Sequence, residues 1–368
     1  MKTLLVGDFS PTAENEHLFR EKNIPELFTD AISIFDSKDL VAVNLECAIT
    51  ESENGIKKFG PCLRAPTQTA QVMQSIGVNL CGLSNNHIFD YGIRGMKDTF
   101  DALGQVGIPT TGFGNNYEDA RKNFSFERNG EKICVVAVCE HEYSYALEDR
   151  MGSRPFDEYD TIEDIRLAKA EHDRVIVMYH GGKELCQYPS PRLLKLCRAM
   201  ARNGADVILC QHSHCIGCYE NYNGSHILYG QGNFHFVKSK KADVWYNSLA
   251  VEYDTVTNEI YFTPLKCTEH GIALAGGEEG EKIMRDFTER SKTLLDGKWR
   301  EGWREFCESR RAGYTKAIGQ AFNPTSTAVD NARFGHYLDC EAHTDVWREL
   351  FPTYNQTNEK TTDIENAD

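Results

Sequence analysis

Polar side chains that could do chemistry follow directly on five short apolar runs of the sequence. Carboxylates, amides and imidazoles are the types that recur there. Because the carboxyl ends of strands line the ligand crevice of an open α/β sheet, residues far apart in the chain should converge. Such donors suit a borderline divalent metal such as Zn, Mn, Fe or Co, rather than Mg or Ca alone. The residues concerned are Asp8, Glu46, Asn85, Asn86, His87, His180, His212 and His214.

Two metal ions fit this set better than one. A bridging carboxylate holds two ions roughly 3.5–4 Å apart, and such a pair can generate a hydroxide and stabilise an in-line displacement at phosphorus. Taken singly, each residue also has a structural interpretation. Asp8 could be a turn residue, and Asn85-Asn86-His87 could be an Asx turn. The coincidence of all five runs favours a metal site.

The pattern of elements predicts a sheet covered by helices, because short β-rich runs alternate with segments of helical periodicity up to about Phe236. The predicted strands are Thr3–Gly7, Leu40–Leu45, Val78–Leu83, Ile133–Val138, Arg174–Tyr179 and Asp206–Cys210. The predicted helices are Pro66–Ile76, Met96–Val106, Ile162–Glu171 and Pro191–Asn203.

The second half of the chain changes character twice. Ser225–Val237 and Ser248–Leu265 alternate like antiparallel strands and are predicted to close a second sheet, with a hairpin turn at Asp254–Glu259. Glu278–Ala312 has helical spacing, and Asn355–Asp368 is polar and acidic. We therefore expect a main domain over 1–270, a helical extension over 271–354 and a flexible acidic tail over 355–368.

Composition excludes several classes of function. The 368 residues carry 40 Lys and Arg against 55 Asp and Glu, a net charge of −15, so a broad grip on nucleic acid is not expected. With no long apolar run and no signal peptide, the chain is expected to be cytoplasmic and free of membrane contacts. Its 13 cysteines are odd in number and lie within apolar runs, which predicts reduced core thiols. Cys215 and Cys218 have zinc-knuckle spacing but lack two further ligands.

Longer motifs give a more specific signal over about Met1–Lys238. In this order, they resemble the CapA branch, named for poly-γ-glutamate capsule synthesis, of the calcineurin-like metallophosphoesterase superfamily. The resemblance implies an α/β fold, a layered metallophosphoesterase-like β-sandwich flanked by helices, here with a helical C-terminal extension. The motifs are GDFS (7–10), DLVAVNLECAIT (39–50), FGPCLRAP (59–66), the stretch from GVNLCGLSNNHIFDYG onward (77–114), VIVMYHGGKE (175–184), GADVILCQHSH (204–214) and ILYGQGNFHF (227–236).

The same resemblance implies roles for individual residues. One of two divalent transition metals (Mn, Zn or Fe) would be held by Asp8, Glu46 and His214, and the other by Glu46, Asn86, His180 and His212. His87 would be the general acid or oxyanion partner. Arg64 and Asn233 are candidates for contacts with an anionic substrate. Asp90 and Glu184 could orient ligand histidines. Ser10 replaces the imidazole of the usual Asp-x-His start, so the first metal should bind more weakly.

Two classes of function follow from this resemblance. The first is a hydrolase that cleaves a phosphoester or related anionic substrate with a hydroxide activated by two metals. The second is a non-hydrolytic or amide-bond-forming accessory protein of poly-γ-glutamate or related capsule polymer synthesis. The expected partner is accordingly a small anionic substrate or a glutamyl polymer. The sequence does not indicate an oligomeric state.

Overall fold

The computed structural model describes residues 1–352, so the predicted acidic tail lies outside the described residues. The strands are β1 Lys2–Phe9, β2 Leu40–Leu45, β3 Ala48–Ile49, β4 Arg64–Ala65, β5 Leu80–Gly82, β6 Thr110–Thr111, β7 Phe113–Gly114, β8 Phe124–Arg128, β9 Glu131–Cys139, β10 Gly152–Ser153, β11 Arg174–His180, β12 Val207–Gln211, β13 Tyr219–Tyr222, β14 Ser225–Leu228, β15 Asn233–His235, β16 Asn247–Asp254, β17 Glu259–Cys267 and β18 Ile272–Leu274. The α-helices are α1 Glu16–Glu21, α2 Ile24–Phe28, α3 Thr69–Ser75, α4 Gly92–Gln105, α5 Tyr117–Ala120, α6 Asp160–Glu171, α7 Pro191–Arg202, α8 Gly277–Asp296, α9 Trp299–Ala321, α10 Ala328–Asp339 and α11 Glu341–Leu350.

Two large sheets form the centre of the fold. The first has the order β18-β17-β16-β1-β2-β5-β6, with β15 also paired to β1, and the second has the order β13-β14-β12-β11-β9-β8. Strands β1, β2, β5 and β6 are parallel to one another, as are β9, β11, β12 and β14. The carboxyl ends of five of these strands, β1, β2, β5, β11 and β12, carry or precede the residues singled out above.

Apolar side chains fill the space between the sheets and cover both outer faces. Leu5 and Leu80 of the first sheet belong to the same buried cluster as Val135 and Ile176 of the second. Separate clusters join the outer face of the first sheet to α1–α4 and the outer face of the second to α6 and α7. The central parallel strands β1, β2, β11 and β12 are therefore buried on both faces, which explains their continuous apolar runs. The predicted α/β sandwich flanked by helices is confirmed.

The segment Ser225–Val237 pairs antiparallel with β13, as its pattern predicted, but it divides between the two sheets. Its first part, β14, lies parallel to β12 in the second sheet, and its last part, β15, lies parallel to β1 in the first. Gly232, with φ of 78°, makes the crossing possible, because a Cβ there would lie 2.7 Å from the Asn247 carbonyl oxygen. The predicted hairpin forms as β16 and β17 but joins β1 of the first sheet.

His235, at the end of β15, is buried among aromatic rings. Its ring centroid lies 5.1 to 5.4 Å from those of Phe9, Phe19 and Phe28, and Nε2 donates to the Leu27 carbonyl. Burial lowers the pKa of His235 to about 4. In the unfolded chain His235 binds a proton below about pH 6.5, whereas in the folded protein it stays neutral until about pH 4. The free energy of unfolding therefore falls as the pH drops from 6.5 towards 4.

We expect His235→Gln, which keeps a donor but cannot titrate, to reduce this acid sensitivity. The difference in unfolding free energy between pH 7 and pH 5 should shrink by about 2 kcal/mol relative to wild type. Urea unfolding at the two pH values measures it. The same change at exposed His17 serves as the control. An unchanged pH dependence in His235→Gln would contradict the burial of a neutral imidazole.

The C-terminal extension begins later than the predicted boundary. Ile272–Leu274 pairs with β17 and completes the first sheet, so the helical part starts at Gly277 and not at residue 271. Gly297, in the left-handed conformation, ends α8 and separates it from α9. Trp303 of α9 packs with Val346 and Leu350 of α11 in a small core of its own. The predicted helical extension is present over the described residues.

A buried ion network holds this extension against the second sheet. Arg192 of α7 donates from Nε to Asp345 of α11 at 2.9 Å and from its other end to Glu140, which follows β9. Both carboxylates are less than 5% exposed. Removing the guanidinium would leave two buried carboxylates uncompensated.

Arg192→Met should therefore destabilise the protein by about 3–5 kcal/mol in urea unfolding. Arg348 supplies the matched control, since it approaches the same Asp345 at 3.8 Å but is 73% exposed. Arg348→Met should cost less than about 1 kcal/mol. Equal effects of the two substitutions would show that the network does not hold the extension.

The remaining sequence expectations concern thiols and the membrane. All 13 cysteines are free, and 11 of them are buried. Among the helices of residues 1–352, none is both long enough and apolar enough to cross a bilayer.

Candidate metal centre

The predicted ligands lie where parallel strands of both sheets end. Asp8 is the penultimate residue of β1, Glu46 follows β2 directly, and His180 is the last residue of β11. His212 and His214 follow β12 with φ of 74° and 53°, in the left-handed region that non-glycine residues rarely adopt. Such strain is typical of functional sites, because the surrounding structure must hold it.

Glu46 lies between two clusters of ligand atoms. In one cluster it joins Asp8 and His214, and in the other it joins His180 and His212, with all ligand atoms of a cluster within 4.8 Å of one another. His180 Nε2 lies 3.5 Å from Glu46 Oε1 and 3.0 Å from Asn86 Oδ1. The structure thus brings together all six residues for which metal binding was predicted.

The surroundings of the Glu46 carboxylate indicate whether a cation fits this site. Its side chain is fully buried, and neither Oε1 nor Oε2 has a hydrogen-bond partner within the described chain. Burial and the charge of Asp8 together raise its pKa well above the usual value for a glutamate. Leaving a buried carboxylate unpaired costs free energy that a bound cation would offset. The residues present therefore fit divalent metal ions.

Electrostatics distinguish the two sides of Glu46. Burial alone would raise the pKa of Asp8, but the hydrogen bond from His214 and the positive charge that His180 carries at low pH lower it to about 2. Burial lowers the pKa of His214, but the charges of Glu46 and Asp8 outweigh it and raise that pKa to about 9. Asp8 and His214 therefore form an ion pair, with Nδ1 and Oδ2 3.4 Å apart. A metal ion on this side has to displace the proton of His214.

On the other side of Glu46, His180 and His212 are already in the protonation state that binds a metal. Burial lowers the pKa of both His180 and His212 to about 4, so both imidazoles are neutral at pH 7. Neutral imidazole is the form that ligates metals. The side formed by Glu46, Asn86, His180 and His212 should therefore fill first. This order agrees with the weaker metal binding expected on the Asp8 and His214 side, where Ser10 replaces the usual imidazole.

Side-chain amides fix the ligands in place. Asn44 Nδ2 donates to Asp8 Oδ1 at 2.8 Å and lies 3.0 Å from His180 Nδ1. Asn233 Oδ1 lies 2.8 Å from His214 Nδ1, and its Nδ2 donates to the Trp245 carbonyl. The structure thus gives Asn233, proposed above as a substrate contact, a part in positioning His214.

His87 belongs to a second polar group beside the ligands. Its Nδ1 donates to Asp90 Oδ2 at 2.6 Å, and Lys58 Nζ contacts both Asp90 Oδ1 and His87 Nδ1. Burial, reinforced by the charge of Lys58, lowers the pKa of His87 to about 4, although Asp90 opposes the shift. Asp90 therefore orients His87 and leaves Nε2 as the atom that can exchange a proton.

Two further candidates lie around the ligand clusters, and other residues of this region were missed. Arg64 donates from Nη1 to the carbonyls of Glu51 and Ser52, and its described hydrogen bonds do not reach the ligand clusters. Glu184 is exposed. Lys58 and Glu142 were not predicted, yet Lys58 contacts His87 and Glu142 contacts the side-chain amide of Asn86. Lys58 stands just before the FGPCLRAP motif, which was the only sequence signal for it.

Comparison with known proteins places this geometry in a family. Residues 2–238 match the model of the bacterial capsule synthesis protein PGA_cap family, and the chain belongs to that family. The matched residues contain every ligand of the candidate metal centre, together with His87, Asp90 and Lys58. The C-terminal helices lie outside the match.

Individual relatives extend over part of the chain. It is 31% identical over 236 residues to the PGA biosynthesis protein CapA of Bacillus subtilis, covering 63% of this chain and 62% of that protein. It is 27% identical over 242 residues to the capsule biosynthesis protein CapA of Bacillus anthracis, covering 63% and 59%. The match thus spans less than two thirds of either relative. A hypothetical protein from Thermus thermophilus has a similar structure with a TM-score of 0.45 and 16% identity, covering 72% of this chain and 98% of that one.

Proposed function

We propose that the protein is a metal-dependent hydrolase of a phosphoester or a related anionic substrate. The observation that carries this proposal is the buried Glu46 carboxylate, which has no hydrogen-bond partner in the described chain and lies between two ligand clusters. A carboxylate shared by two such clusters suits a bridging role between two cations. A site that holds two cations attracts negative charge, so it suits an anionic substrate.

The proposed division of labour follows from the contacts. Asp8, Glu46 and His214 would hold one ion, and Glu46, Asn86, His180 and His212 the other. When bound, two divalent ions of Mn, Zn or Fe supply a nucleophile at neutral pH and stabilise charge at the reacting phosphorus. The chain itself keeps the His180 and His212 imidazoles neutral, and Asn44 and Asn233 orient His180 and His214.

His87 is the proposed general acid. Protonated at Nε2, it can deliver that proton to the leaving oxygen, while Asp90 accepts the hydrogen bond from Nδ1 and holds the ring in position. An anionic substrate beside the ring raises the pKa of His87 from its low value and so favours protonation. Lys58 compensates the charge of Asp90. Arg64 stays a proposed contact for a more distant part of the substrate.

A second candidate rests on the names of the relatives. Both Bacillus proteins are named for PGA or capsule biosynthesis. In this alternative the same centre binds a glutamyl carboxylate or phosphoryl group without hydrolysing it, or takes part in forming an amide bond. The partner is then a glutamyl polymer. For either candidate function, we place the chemistry in residues 1–276. The helical extension packs against these residues.

Hydrolysis of model esters separates the two candidates. We expect the Mn²⁺-loaded protein to hydrolyse p-nitrophenyl phosphate or bis(p-nitrophenyl) phosphate, and His180→Ala to lose that activity. His17→Ala, an exposed position, is the matched control. A wild-type protein that holds its metals, cleaves neither ester and retains poly-γ-glutamate in a pull-down would contradict the hydrolase proposal and favour the second candidate.

A further inference from the structure

The C-terminal extension contacts the segment that follows β9 along a continuous seam. The backbone N–H of His141 donates to Glu341 Oε2 at 2.8 Å, and His141 Nδ1 lies 2.5 Å from Glu341 Oε1. The N–H of Ala342 donates to Glu140 Oε2 at 3.2 Å. The junction between α10 and α11 therefore lies against residues 140–142. The next residue of this segment, Glu142, also contacts Asn86 of the candidate metal centre.

A third group of ligand atoms lies at this seam. One side-chain ligand atom from each of Glu142, Cys340 and His343 lies within 4.8 Å of the other two. All three side chains are buried, with residue exposures of 5%, 0% and 6%. His336 adds a fourth donor nearby, since its Nε2 lies 3.5 Å from Glu142 Oε1. None of these atoms belongs to the two clusters that share Glu46.

The sequence and the backbone explain why the three C-terminal residues meet. They lie close together in the chain, with the spacing His-x3-Cys-x2-His over 336–343. Cys340 interrupts the helix with φ of −75° and ψ of 127°, so α10 ends before it and α11 begins after it. The rings of His336 and His343 consequently approach to 4.7 Å between centroids.

The neighbours of His343 hold its ring in an orientation suited to a ligand. Tyr314 OH lies 2.6 Å from Nδ1, and the Tyr337 ring stacks on the imidazole at 4.1 Å. Within residues 1–352, the hydrogen bond of the His343 ring is made by Nδ1, and Nε2 makes none. One ring nitrogen engaged by an oxygen, with the other left free, is the arrangement usual for metal-bound histidine.

We propose that Glu142, Cys340 and His343 form a zinc site, with His336 as the fourth donor, separate from the centre around Glu46. Thiolate, imidazole and carboxylate are the ligands that zinc accepts in tetrahedral sites. The thiolate distinguishes this site from the centre around Glu46, whose predicted ligands include no cysteine. The bound zinc fastens the extension to the segment after β9, and Glu142 connects it to Asn86.

A cobalt substitution experiment on the full chain tests the site directly. Cobalt(II) bound by a thiolate gives a charge-transfer absorption in the near ultraviolet that oxygen and imidazole ligands do not give. We expect this absorption in wild type and its complete loss in Cys340→Ser. Cys307→Ser is the matched control, because Cys307 is an equally buried thiol of the same extension, in α9, and belongs to none of the ligand clusters.

Zinc content gives a second readout that does not depend on catalysis. Cys340→Ser and His343→Gln should each bind one zinc ion fewer per chain than wild type and Cys307→Ser, measured by elemental analysis after dialysis. Glu46→Gln should keep the thiolate absorption, which separates this proposal from that of the first centre. A wild-type protein without thiolate absorption, or equal zinc content in Cys340→Ser and wild type, would overturn the proposal.

Discussion

Glu46→Gln should abolish metal-dependent stabilisation of the protein and all turnover that depends on it. The substitution preserves shape but removes the negative charge that both clusters share. We expect Mn²⁺ affinity at this centre to fall by more than about 100-fold, the upper range seen when groups that merely support a ligand are lost. Since a ligand that binds only the folded state raises its stability, Mn²⁺ should raise the Tm of wild type and leave that of the variant unchanged.

The metal-free form of the same variant gives an independent check. In wild type the Glu46 carboxyl is buried without a hydrogen-bond partner in the described chain, and its pKa is raised by burial and by Asp8. Replacing it with a neutral amide should therefore leave the metal-free protein at least as stable as wild type. Glu53→Gln, at an exposed carboxylate, is the control. An equal Mn²⁺-induced rise of Tm in Glu46→Gln and wild type would contradict the bridging role.

His87→Asn should lower kcat by about 10²–10⁴-fold while leaving the metal content unchanged. The reason is that His87 contacts Asp90 and Lys58 and stands outside both ligand clusters. The loss should depend on the leaving group. An alkyl or phenyl phosphate needs a proton on its departing oxygen far more than p-nitrophenyl phosphate does, so its hydrolysis should suffer more.

Asp90→Asn supplies the intermediate case. It removes the carboxylate that orients His87 but keeps the imidazole, so its kcat should lie between wild type and His87→Asn. Steady-state rates with the two types of ester, together with elemental analysis, measure both effects. A loss in His87→Asn that is the same for good and poor leaving groups would show that His87 does not protonate the leaving oxygen.

The parts of the site that the sequence predicted share one physical origin. Strands buried on both faces appear as apolar runs, and the residue after each run must lie at the sheet edge. Asp8, Glu46, His180 and His212 were placed in this way, and the structure brings them together. The family resemblance assigned them to individual metals, an assignment that stays a prediction.

Other residues gave no such signal. Lys58 lies in a loop without periodicity, and only the fold brings it to His87. Residues 141 and 341 are 200 positions apart in the chain, so the pairing of the C-terminal helices with the end of β9 could not be read from either segment. The crossing of Ser225–Val237 between sheets depends on Gly232, whose close approach to Asn247 is a tertiary feature. In these places, long-range packing decided the structure.

Anomalous diffraction from crystals soaked in Mn²⁺ tests the central claim most directly. Manganese favours carboxylate and imidazole over thiolate, so it should report on the centre around Glu46 and not on the site at Cys340. We predict two anomalous peaks, one on each side of the Glu46 carboxylate, with the peak beside His180 and His212 the stronger. Anomalous maps with no peak within bonding distance of Glu46 would contradict the account.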